Sequence, residues 1–108
     1  MTTKKLKDSS EAKFLKELLG GPLTFGMAIE SLRSREEITQ TDLSNKLGLS
    51  RQYLCDVEKG RRLVSPTQAA RFAKVLGHPT RVLVQLALQD SVRESGLKLR
   101  VTVEDAAA

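Results

Sequence analysis

The chain has 108 residues, with 18 Lys+Arg against 13 Asp+Glu, a formal net charge of +5 and a hydrophobic fraction of 40%. That describes one small domain with enough apolar residues for a core and a surface suited to an anionic partner. A single Cys and a single His exclude an intrachain disulfide and a four-ligand zinc site, and 4% aromatics with no Trp argue against stacked-base recognition. The longest mostly apolar run, Val82–Leu88, is far short of the roughly 20 residues of a membrane helix. No apolar stretch follows the basic start, as it would in a signal peptide. The composition reads as a soluble cytoplasmic protein with no metal and no cofactor.

Residues 1–8, with Lys4, Lys5 and Lys7, read as a mobile basic arm. Ser9–Leu19 is predicted to be a short helix, because Phe14, Leu15, Leu18 and Leu19 recur at helical spacing. Gly20-Gly21-Pro22 ends it. A second helix opens at Thr24 with Phe25, Ala28, Ile29 and Leu32 on one face and fades into Arg33–Glu37. Thr39 caps a third, Gln40–Leu47, and Gly48 closes it. Ser50 caps a fourth, Arg51–Lys59, closed by Gly60. Ser65-Pro66-Thr67-Gln68 is a strong helix start, combining a Ser cap, Pro at the first helical position and Gln at the capping-box position. The helix buries Ala69, Phe72, Ala73 and Leu76, and His78-Pro79 opens a last one over Thr80–Glu94. The end changes period. Leu97-Lys98-Leu99-Arg100-Val101-Thr102-Val103 alternates apolar and polar, the pattern of a strand, before a frayed Glu104–Ala108. The chain thus divides into an arm (1–8), a helical domain (9–95) and a strand with tail (96–108).

Two short helices joined by Gly48-Leu49-Ser50 are the informative feature. Such a pair needs a tight turn and apolar residues that lock the helices, and Leu43, Leu47, Leu49, Leu54 and Val57 stand where that packing requires. The stretch ESLRSREEITQTDLSNKLGLSRQYLCDVEKGRR, followed by SPTQAARFAKVLG, resembles the lambda-repressor-like (XRE) helix-turn-helix family. The matching positions are Arg33, Gln40, Leu43-Ser44, Gly48 and Glu58-Lys59-Gly60, with Ser44 in place of the usual Ala. The likeness covers about two-thirds of the chain. It implies an all-α bundle of about five helices, carrying here an extra N-terminal helix and a C-terminal strand.

The resemblance also implies roles. Gln40 would contact a phosphate and brace the first recognition residue. Arg51 and Gln52 lead the second helix of the pair and would read base edges, since Arg matches guanine and Gln matches adenine in two-bond fashion. Cys55 and Asp56 lie one turn further on. Asp56 would accept from a cytosine amino group or repel phosphate. Cys55 is an inert residue at the groove rather than a redox switch, because no second Cys exists to resolve it. Tyr53 touches backbone or packs at the surface. Lys59, Arg61 and Arg62 would meet phosphates, which gives affinity without sequence information. Arg33 and Glu58 would face each other inside the fold.

The expected function is a sequence-specific regulator of transcription, a repressor that binds a palindromic site on double-stranded DNA as a homodimer. The alternative is an antitoxin that neutralises a partner toxin and represses its own operon. An enzyme is not expected, since no phosphate-cradling Gly loop and no nucleophile with a spaced base is present. A lone strand leaves its backbone groups unpaired. The expected homodimer contact is therefore residues 96–103, with Leu97, Leu99, Val101 and Val103 resting on Val82, Leu83, Leu86 and Ala87.

Overall fold

A computed structural model of the protein describes residues 23–106. The expected arm over 1–8 and the helix over 9–19 lie outside the described residues. Within them the order is α1 (Phe25–Arg35), α2 (Gln40–Leu47), α3 (Arg51–Glu58), α4 (Pro66–Leu76) and α5 (Thr80–Glu94). The fold is all-α.

One device starts four of the five helices. A Ser or Thr in extended backbone stands just before the first turn, and its hydroxyl accepts the amide three residues on. Thr24 accepts from Met27 at 3.2 Å, Thr39 from Asp42 at 3.0 Å, Ser50 from Tyr53 at 3.0 Å and Ser65 from Gln68 at 3.1 Å. Each such cap contributes about 1 kcal/mol and fixes where the helix begins. Gly48 ends α2 in the left-handed conformation, with φ +69°. Behind it the Leu49 amide donates to Ser44 O at 2.8 Å, closing the turn. The helices turn there because a residue without Cβ takes that conformation at no steric cost.

The core is built from Phe25, Ile29, Leu43, Leu47, Leu54, Val57, Phe72 and Leu83, all buried. Phe25 and Phe72 meet edge to face, with ring centroids 5.3 Å apart. Helices α4 and α5 pack side by side, while α1 reaches α3, α4 and α5. At Gly26 the backbone of α1 lies directly against that of α3. A Cβ there would lie 2.3 Å from Val57 O and 2.7 Å from Glu58 O, so only glycine lets the two backbones meet. The far end of α5 returns to the start of α1, where the Phe25 amide donates to Asp90 Oδ2 at 2.9 Å. A carboxylate from a helix 65 residues away thus serves one of the free amides at the N-terminus of α1.

The C-terminal segment corrects the sequence reading in one respect. Within one chain, residues 97–106 form no strand. A ladder needs a second strand, and the described residues offer none. The segment instead runs back along α5, held by two side-chain amides. Gln89 donates to Leu99 O at 2.8 Å and accepts from the Val101 amide at 2.7 Å, and Gln85 accepts from the Val103 amide at 3.0 Å. The spacing has a geometric reason. One turn of helix rises about 5.4 Å and two extended residues span about 6.6 Å, so glutamines four apart on α5 meet alternate residues of the tail. Val101 and Val103 are half-buried, whereas Leu97 and Leu99 stay 53% and 62% exposed. The apolar face expected to lie flat on α5 is thus seated only at its valine end.

Candidate nucleic-acid interface

Helices α2 and α3 are joined by the tight Gly48-Leu49-Ser50 turn, and α3 presents its first two residues, Arg51 and Gln52, to solvent. Its opposite face buries Leu54 and Val57. The free amides at the start of α3 and the absence of acidic residues from its first turn leave that end electropositive.

The C-terminal end of α3 is anchored by charge. The Glu58 carboxylate is fully buried, and Arg33 from α1 is 16% exposed. Arg33 Nε donates to Glu58 Oε2 at 2.8 Å and Nη2 donates to Oε1 at 3.1 Å, a two-pronged pair. Gln40 Nε2 donates to the same Oε1 at 2.8 Å, and Arg33 Nη1 donates to Ile38 O at 3.0 Å. The hydrogen bond to Glu58 raises the Arg33 guanidinium above its ordinary value, against the opposing effect of burial. One carboxylate thereby ties α1, the start of α2 and the end of α3 together. The Gln40 amide goes to Glu58 and not to Arg51.

On the exposed side a second carboxylate organises the polar residues. Asp56 Oδ1 accepts from Gln52 Nε2 and from Arg61 Nε, each at 3.1 Å, and Arg61 Nη2 lies 3.8 Å from Cys55 Sγ. Arg61, which follows α3, is thus drawn back alongside Gln52. Tyr53 is half-buried. Its hydroxyl donates to Gln68 Oε1 at 2.8 Å, and the Arg62 guanidinium sits 4.6 Å above its ring. Lys59 is exposed beside Gly60. The structure therefore brings Gln52, Cys55, Asp56 and Arg61 into one cluster and Tyr53 and Arg62 into another. Arg51 and Lys59 stand exposed at opposite ends of α3.

Three contributors were invisible to sequence reasoning. Gln68 was read only as a capping residue, yet it fixes Tyr53. Arg71 on α4 donates to Leu47 O at 2.6 Å and so satisfies the C-terminal end of α2. Gly26 carries no motif at all. The buried Ser44, which departs from the resemblance, is satisfied locally by donating to Thr41 O at 2.9 Å. Among the described residues no cluster of His, Cys, Asp and Glu has the makings of a metal site, and no helix is long and apolar enough to cross a membrane.

Residues 24–87 match the family described as the helix-turn-helix domain, and the chain belongs to that family. It is not a family of enzymes. The chain is 35% identical over 71 residues to the ImmF control region 10 kDa protein of Bacillus phage phi105, covering 66% of this chain and 78% of that protein. It is 36% identical over 55 residues to the Immunity repressor protein of the same phage, covering 51% of this chain and 38% of the repressor. Among solved structures it resembles the clp gene regulator ClgR from Corynebacterium glutamicum, with a TM-score of 0.53 and 25% identity over 67% of this chain and 78% of that one.

Proposed function

We propose that the protein is a sequence-specific DNA-binding regulator of transcription that acts as a repressor. The observation that carries this reading is the presentation of Arg51 and Gln52. They project from the N-terminal turn of the second helix of a helix-turn-helix, the part of that motif that reaches base edges in the major groove. Arg51 donates to a guanine edge. Gln52, steadied by Asp56, offers its carbonyl and its remaining N–H to an adenine. Lys59, Arg61 and Arg62 neutralise flanking phosphates. Asp56 serves here as an organiser of Gln52 and Arg61. Gln40, whose amide is spent on Glu58, acts by holding the two helices in register. The likeness to a phage immunity repressor supports repression as the sign of regulation.

The regulator works as a homodimer through residues 96–103. Leu97 and Leu99 are exposed, and one edge of the tail is already occupied by Gln85 and Gln89. The other edge pairs antiparallel with the same segment of a second copy, about a two-fold axis. Two α3 helices then meet successive major grooves roughly 34–36 Å apart. The alternative, an antitoxin, assigns the exposed leucines to a toxin instead.

Selection of bound sequences from a random DNA pool tests the reading. Two-fold symmetric sites with half-site centres about 10 base pairs apart are expected. Recovery of no enriched sequence would overturn it. Sedimentation of the purified protein alone separates the two assignments for the tail: a dimer is expected, and a monomer that binds DNA as single half-sites would remove the homodimer from the proposal.

A further inference from the structure

Between α1 and the first half of α5 runs an apolar groove of about 200 Å³ that the reading above leaves unused. Leu23, Ala28 and Leu32 line one side, Val82 and Leu86 the other, and His78 stands among them. Its volume is below the roughly 300–1,000 Å³ of small-molecule sites. Its dimensions suit one or two large side chains instead.

We propose that the groove is the docking site of this chain's own segment 9–19. Three observations converge on that occupant. Leu23, where the described residues begin, is itself part of the wall, so the upstream chain starts at the groove. Only Gly20, Gly21 and Pro22 separate it from Leu19, and four steps of extended chain reach at most about 14 Å. The upstream segment carries Phe14 and Leu18 four apart, with Leu15 and Leu19 repeating the interval one residue later. That is an apolar stripe with Lys13, Lys16 and Glu17 around it. Eleven residues are short of the roughly 12–15 at which even good helix formers become marginally helical alone in water, so the stripe needs a surface to order against. A tether this short holds the segment at an effective concentration of about millimolar, which favours the chain's own segment over that of a second copy.

The proposal is independent of DNA binding. The test is paramagnetic broadening in the full chain, in a Cys55→Ser background with a nitroxide attached through Lys13→Cys. Broadening of the amide signals of Leu32, Val82 and Leu86 is expected when label and isotope are on the same chain. The substitution Leu18→Asp should abolish it while the remaining spectrum keeps its dispersion. Broadening that survives Leu18→Asp, or no selective broadening at all, overturns the proposal. So does broadening that appears in full when labelled, isotope-free chains are mixed with enriched, unlabelled ones. That result would give the groove to a second copy.

Discussion

Two carboxylates on one short helix behave in opposite ways because one is buried and the other is not. Glu58 is fully enclosed and its charge is answered by Arg33 and Gln40. Removing one member of a buried pair leaves an uncompensated charge, at about 3–5 kcal/mol. Arg33→Ala should therefore lower the melting temperature by roughly 12–40 °C, at the 4–8 °C per kcal/mol usual for a domain of this size. The double variant Arg33→Met/Glu58→Leu should recover most of that loss. Thermal unfolding followed by circular dichroism decides. If Arg33→Ala melts with the parent, the pair is not structural. Asp56, in contrast, is partly solvated and holds Gln52 and Arg61 by one oxygen. Asp56→Ala should leave melting nearly unchanged, raise affinity for random DNA by removing a negative charge near phosphate, and narrow the gap between preferred and random sites. Titrations on both DNAs at several salt concentrations measure this. An unchanged ratio of the two affinities would show that Asp56 does not order the reading residues.

At the scale of the element, the helices were legible in the sequence because their punctuation is local. Thr39, Ser50, Ser65 and Gly48 act within four residues of themselves, so a string of letters contains the whole interaction. Asp90 was not legible, because its partner is the Phe25 amide at the other end of the domain. Arg71 on Leu47 O and Tyr53 on Gln68 were hidden for the same reason. Asp90 also gives α5 a pH signature. Burial raises its carboxyl above the ordinary value, partly offset by the Phe25 amide and Arg93. A folded-state value above the unfolded one means that the native state holds the proton more tightly. The associated stability is present in full below the unfolded pKa, about 3.9, and is lost as pH rises through the folded value. Asp90→Asn keeps an acceptor for the Phe25 amide and has no charge to desolvate. Its stability relative to the parent should therefore increase from about pH 3 to about pH 6, as read from urea midpoints. A relative stability that falls over that range would mean the charged form is the favoured one.

The whole molecule raises the question of register. The alternating segment was legible as a strand pattern, but the chain alone cannot complete it, and the glutamines of α5 that hold one edge gave no periodic signal. They fix the parity. Leu99, Val101 and Val103 turn their backbone groups toward α5, so those of Lys98, Arg100 and Thr102 turn outward. In a two-fold antiparallel pair this leaves three close registers. With Arg100 on the axis, two guanidinium groups face each other. With Thr102 on the axis, Leu99 faces Asp105. With Val101 on the axis, Leu99 faces Val103 and Lys98 faces Glu104, so that apolar and opposite-charge pairs are all satisfied. The last is expected. In a Cys55→Ser background, Val101→Cys should oxidise to a covalent dimer, because facing residues of a non-hydrogen-bonded pair lie about 4.5 Å apart at Cα, within disulfide reach. Efficient cross-linking by Thr102→Cys or Arg100→Cys in its place would shift the register accordingly.

The missing side chain at Gly26 bears on how new specificities arise on this scaffold. Where α1 meets α3, main chain rests on main chain, and the stop is set by the carbonyls of Val57 and Glu58. At that point the spacing of the two helices does not depend on side-chain size, since peptide groups have the same dimensions whatever side chains they carry. Orientation toward a duplex is thereby uncoupled from the identity of the residues that read it. Exchanging Arg51 and Gln52 should rewrite the preferred sequence in one step, with no compensating change elsewhere in the fold, whereas Gly26→Ala would misaim every variant alike.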